Sequence, residues 1–529
     1  MEFRNLTPFS SLNYFMLNQA RDEFHVVVAK VGYRLHQQLD GVWQAVVMDD
    51  AAIPLCIQDE YRGEMNISQV VQESDLAPLK PRCDVIINGT AYAPGGVACP
   101  QFPVSVRLDA PDMNILLEKT LLVTGERYFY PVLPGRVKGT WKLSKPEPFT
   151  SLPLDYRYAF GGECRIAQGD KAANRVEQSN RLTEMQQKDH PDQENIPVAH
   201  TAFQGNPLGR GYVEGWYLNA LRLDKVAAPR IVTPQAPYSA QNFTTLLQGK
   251  ADLSLPVYQP AGLGIVGRTW QPRLAKAGTY DDIWLKERHP YLPDDFDFGY
   301  WNSAPQDQQI AFPPANLTLT LTNLTPEGEL VCELPNHMTF ILLRMSSGEV
   351  IPQTMFLDTL LIDADNLTVS VSYRYVLPVE RPVRVMELRY EVDPARLLAK
   401  LSPPKSKEDI VMADNYMARK DGVWKVVSIL PDVCKTPMGS ATPPVPYPVI
   451  AELNAAAQVV PSVKVNGKPL VVLNQSYIPT TIGDQAGVAN GLDSGTVGGK
   501  CHPKKHSDTV KAGKRHILRH GDEFWMNGK

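Results

Sequence analysis

The chain holds 45 prolines and 36 glycines in 529 residues. Proline removes a helical N–H and clashes with the preceding turn, and glycine weakens helix interiors, so breakers this frequent leave no room for long helices. A mainly β, turn-rich architecture follows, sandwich or barrel-like with few short helices. Residues 25–35 (HVVVAKVGYRL), 84–88, 119–123, 316–322 (NLTLTLT), 339–343 and 367–376 (LTVSVSYRYV) read as strands, several with period-two alternation. Residues 279–288 carry acids, Trp284, Leu285 and basic residues at helical spacing, and Pro290 and Pro293 stop that helix.

Length predicts two to four domains, and 43% hydrophobic with 21% charged residues places the chain among ordinary globular proteins. A net charge of -4 gives no basic surface for nucleic acid or anionic membrane. No apolar run approaches the ~20 residues of a membrane span, and the N-terminus lacks the pattern of a secretory signal. The expected place of synthesis is the cytoplasm. Seven scattered cysteines are no disulfide framework, so reduced thiols are expected. Residues 167–200 turn polar and read as an exposed insertion with a helical turn. After a short helix at PARLLAKL, Ser402, Pro403 and Pro404 mark a boundary. The division expected is a β-rich region over 1–401, with room for two subdomains, a linker over 402–414 and a small domain over 415–529.

From Asn415 the sequence runs NYMARKDGVWKVVSILPDVCKTPMG, PPVPYPVIAE, VKVNGKPLVVL and TTIGDQAG, ending RHGDEFWMNGK. This series resembles the PAAR-like domains of type VI secretion. The resemblance implies a small β-rich cone that caps a trimeric VgrG-type spike and is exported into a target cell or the medium. The residues agree with such a shape: Asn466-Gly467 is a type I′ hairpin turn, and the proline run 443–448 suits an extended edge. Apolar residues in 445–450 or 471–473 are the expected anchors on the spike. The first 400 residues, with DEFHVVVAKVGYRL, PEPFTSLPLDYRYAFGG and PAGLGIVGRTWQPRLAKAGTYDDIWLKERHPYLPDDFD, resemble the region of unassigned chemistry often found beside PAAR-like domains. That resemblance implies an adaptor that loads a separately encoded toxin effector.

Four of the ten histidines, His502, His506, His516 and His520, crowd beside Cys501 near the end, and Cys434 lies in CKTP. A tapering cone has little core to hold its apex, and a tetrahedral Cys/His zinc site supplies a cross-link. PAAR domains are similar in carrying an apical zinc, though this chain departs from their usual motif. The expected structural zinc ligands are Cys434, Cys501, His502 and His520, with His506 and His516 as substitutes; exposed histidines on a basic tail are the plainer alternative.

Enzymatic signals are weak. Residues 262–267 fit GxGxxG but lack the flanking strand and continuous helix. Asp281, Asp282, Asp294, Asp295 and Asp297 lie among aromatics, as a carbohydrate-active site would have them, but capping and turn roles explain them as well. GxSxG and HExxH are absent. No catalytic residue and no bound cofactor beyond zinc is expected. The competing reading is a secreted effector with zinc-hydrolase or carbohydrate chemistry in the N-terminal region or the C-terminal histidines.

Overall fold

The computed structural model describes residues 1–48, 53–133, 139–167, 169–189, 198–379, 382–402, 417–439 and 441–528. The expected linker, Ser402 apart, lies outside these residues. The N-terminal strands that build its sheets are β1 (Glu2–Asn5), β2 (Ser10–Leu17), β3 (Glu23–Gln37), β4 (Trp43–Val47), β5 (Cys83–Asn88), β6 (Gln101–Asp109), β7 (Ile115–Thr124) and β8 (Ile231–Val232). They continue with β9 (Gln309–Ile310), β10 (Thr318–Thr322), β11 (Glu329–Glu333), β12 (Met338–Met345), β13 (Val350–Thr354), β14 (Phe356–Asp363), β15 (Thr368–Pro378) and β16 (Val383–Glu391). Three open sheets result: β2-β3-β15-β14-β5-β9 with β4 added on β3, β8-β7-β6-β10-β11, and β1-β16-β12-β13. The expected strands all form, and none of these sheets closes into a barrel.

The central strand β3 shows how sequence becomes layer. Alternation sends Val27, Ala29, Val31, Tyr33 and Leu35 to one side, where they join Val104, Leu319, Ile341 and Leu388 from the other two sheets in one core. Val26 and Val28 point to the opposite side and pack with Tyr14, Met16, Leu76 and Ile450. Such a strand is buried on both faces, so its apolar run is continuous.

That second face also carries buried charge. Lys30 donates to Asp75 Oδ2 at 2.8 Å, Arg374 to Asp358 Oδ2 at 2.5 Å and Lys80 to Asp84 Oδ2 at 2.9 Å. Asp75 accepts from the Cys56 amide as well, at 2.7 Å. Buried ions survive only when paired and hydrogen-bonded in this way.

Five α-helices occur among the described residues, none longer than eight residues. The expected ones are Asp282–Glu287, Pro394–Leu401 and, within the polar insertion, Glu184–Asp189; Gly215–Leu221 and Ala240–Leu247 carried no strong signal beforehand. No helix of the described residues is long and apolar enough to cross a membrane. The insertion at 167–200 is less exposed than its polarity suggested. Ala172, Val176 and Val198 are buried with Ile166 and Ala220, although residues 190–197 lie outside the description.

The C-terminal part is built from short pairs: β17 (Lys425–Val427) with β20 (Ile450–Glu452), β18 (Asp432–Lys435) with β19 (Pro444–Tyr447), β21 (Val460–Val465) with β22 (Lys468–Leu470), and β23 (Lys500–Pro503) with β24 (Phe524–Gly528). Asn466 and Gly467 have φ of 52° and 75° and form the expected hairpin turn. The proline run forms β19, paired to β18 alone, as a strand short of donors allows.

Candidate functional site

The C-terminal unit is sunk into the N-terminal region at three places. Ile450, with Val427 and Ile482, packs on the outer face of β3. Val445, Tyr447, Val449 and Ala486 share a cluster with Ala77, Leu292, Phe296, Tyr300 and Trp301. Met438 packs with Tyr156, Ala159 and Trp270. Hydrogen bonds fix the register: Tyr300 Oη donates to Pro446 O at 3.2 Å, Asn66 Nδ2 to Ala486 O at 2.9 Å and the Leu17 amide to Ile429 O at 3.2 Å. Gly439, at φ 56°, lies so close that an added Cβ would sit 2.5 Å from Ala202 Cβ. Most of the residues expected to anchor a spike are thus spent: Val445, Tyr447, Val449 and Ile450 fill the junction, Val471 and Val472 lie inside the C-terminal unit, and Leu473 is half-buried.

Beneath this junction Arg268 donates from Nε to Asp59 Oδ2 at 2.8 Å, and Arg273 holds Glu73 from Nη1 at 2.5 Å and from Nη2 at 2.8 Å. Burial pushes the Glu73 carboxyl up, but the two guanidiniums outweigh it and hold it below its ordinary range. Arg268 also sits 6.0 Å from the Tyr447 ring centre. A cavity of about 400 Å³ opens beside it, walled by Tyr61, Arg157, Trp270, Met438 and Tyr447.

The expected zinc ligands are not brought together. Cys501 and His502 are neighbours on β23, so their side chains leave opposite faces: Cys501 is buried in the interior cluster, while His502 is exposed and stacks on Tyr477 at 5.6 Å. His520 packs edge-on against Trp424, 6.2 Å between ring centres, and burial lowers its pKa. Cys434 sits in the junction cluster instead. The substitutes His506 and His516 do meet, with ring centres 4.6 Å apart and both Nδ1 atoms near Ser507 O. The quartet Cys434, Cys501, His502 and His520 therefore does not fit a single zinc ion.

Sequence reasoning missed the set that does converge. Asp432, Cys434 and Asp484 place their ligand-type atoms within 4.8 Å of one another, the only such group of three or more among the described residues. Asn527 Nδ2 donates to Asp432 Oδ2 at 2.5 Å and to Asp484 Oδ2 at 2.8 Å. The Gly498 amide donates to Asp484 Oδ2 at 3.0 Å, and the Cys434 thiol to Asp432 Oδ2 at 3.3 Å. Burial pushes Asp484 up to about 6 and Asp432 above its usual range. Burial and the two carboxyls raise the Cys434 thiol, so it stays protonated and is no ready nucleophile. Among the described residues this is a hydrogen-bonded lock that ties the last strand to β18.

Four of the five carboxylates among aromatics take structural roles. Asp281 accepts from the Trp284 amide, Asp297 from the Gly299 amide, Asp295 from Thr279, and Asp294 pairs with Arg288. The glycines of 262–267 serve packing: Gly262 abuts Tyr156 and Gly264 abuts Gln69.

Comparison with known proteins adds two matches. A family model described as "Uncharacterized protein conserved in bacteria (DUF2169)" matches residues 20–374, and one described as "Toxin PAAR-like domain" matches residues 425–529. Neither the curated proteins nor the solved structures compared with it give a match.

Proposed function

Because this chain belongs to the bacterial DUF2169 family and ends in a toxin PAAR-like domain, we propose that it is a type VI secretion spike tip that carries its own effector adaptor. The PAAR-like unit caps a trimeric VgrG-type spike. The DUF2169 region holds a separately encoded toxin effector and travels with the tip. The protein acts without turnover, is made in the cytoplasm and leaves through the secretion apparatus.

The observation that carries this reading is the junction. Val445, Tyr447, Val449 and Ile450 are all at most 2% exposed against the N-terminal region. Two units joined through a shared apolar core have no reason to part during export, whereas a tethered module meets its neighbour through a smaller, more polar surface. Apolar side chains left free on the PAAR-like unit, among them Val423, Val488 and Trp525, are the anchors open to a spike. Mass photometry of the protein mixed with its cognate spike tests the cap: one copy per spike trimer is expected, and any other dominant stoichiometry overturns it.

A further inference from the structure

The five-stranded sheet ends in an edge strand with one hydrogen-bonded neighbour, and β4 packs close to it. β11 pairs with β10 alone, and its burial alternates so that Glu329, Val331 and Glu333 face solvent while Leu330 and Cys332 face the core. The ladder's phase follows from its flanks: the Leu334 amide donates to Leu317 O and the Asn323 amide to Gly328 O. Residues 330 and 332 therefore bond to β10, and residues 329, 331 and 333 turn their N–H and C=O groups outward. Among the described residues only the Cys332 thiol reaches one of these groups, Glu333 O at 3.4 Å.

Three other edges are blunted. β8, at the far side of the same sheet, is two residues long, and β13 carries Pro352. β2 meets the PAAR-like unit through Leu17. Beside β11 lies a groove walled by Val42, Trp43, Met113, Val331 and Glu333. Val42, Met113 and Val331 are exposed, and the indole N–H of Trp43, a residue only 8% exposed, has no hydrogen-bond partner.

Charge selects the occupant. A second copy pairing antiparallel about Val331 would set Glu329 against Glu333 twice, and like charges directly opposite destabilise a ladder. A strand patterned cation, apolar, cation at alternate positions meets the same edge with two opposite-charge pairs. Resting on the adaptor reading above, we propose that β11 is the cargo-docking edge and takes an extended basic segment of the effector by strand addition.

The test uses the full chain and two fluorescein-labelled peptides, TKTVTKT and TETVTET, followed by anisotropy. Wild type is expected to favour the basic peptide. The double variant Glu329→Lys/Glu333→Lys should reverse that preference, by about tenfold relative to wild type. Val331→Pro removes an outward N–H without removing a β10–β11 hydrogen bond, and should abolish binding while the chain stays folded by its melting transition. No binding of TKTVTKT at about 1 mM, or binding that ignores both variants, overturns the proposal. Cognate effector, once identified, separates the two claims. Capture by wild type and Val331→Pro alike sinks the edge and leaves the adaptor standing; no capture by wild type sinks the adaptor.

Discussion

Asp432 and Asp484 stand fifty-two positions apart in sequence, yet both accept from one Asn527 side chain. Their raised pKa values fix a sign. A carboxyl whose folded pKa lies above its unfolded one stabilises the fold below the unfolded value, and this is lost as pH rises through the folded value, here about 6 for Asp484. His25 and His520, both lowered by burial, act oppositely, so the wild type alone reports a mixture. The clean readout is Asp484→Asn against wild type: the variant should gain stability relative to wild type between pH 4 and pH 7, on the order of 2 kcal/mol, in denaturant melts. A gap that does not change with pH would refute a buried Asp484 carboxyl with a raised pKa. Asp75→Ala should cost about 3–5 kcal/mol by leaving Lys30 buried without its partner, and the same melts measure it. Neither group was legible beforehand. The sequence singled out Cys434, but only Asp432 of its partners is a neighbour on the same strand while Asp484 and Asn527 come from distant segments, and histidine enrichment pointed to residues that the alternation of β23 and the separate hairpins keep apart.

Strands were the most readable elements. Short apolar runs, several with period-two alternation, identified β7, β10, β12 and β15, and the run of β3 was legible as a strand without showing what lay over its second face. Asn466-Gly467 and Pro446 announced local geometry, because positive φ and a missing donor are properties of the residue itself. Burial between distant elements has no such local sign. Gly439 is a case: nothing around it in sequence reveals Ala202 at its Cα, yet the approach leaves no room for a side chain. Gly439→Val should force the β18–β19 loop away from the N-terminal region, costing about 1–3 kcal/mol and exposing Met438 and Tyr447 to dye binding or proteolysis. Unchanged melting and proteolysis would contradict so close a contact.

At the scale of the molecule, the boundary near residue 402 divides two family matches, but the apolar core does not respect it. The 425–529 unit alone would expose Val445, Tyr447, Val449 and Ile450, and is expected to aggregate or bind hydrophobic dye when expressed without residues 1–401. A soluble, dye-silent fragment would argue for independent modules. The N-terminal region and the PAAR-like unit form one docked body. A protease site inserted between Ser402 and Met417, cut to completion and examined by native mass spectrometry, tests it most directly. Both fragments are expected to remain together at the intact mass of about 58.8 kDa; fragments that separate at low micromolar concentration would overturn the docked arrangement.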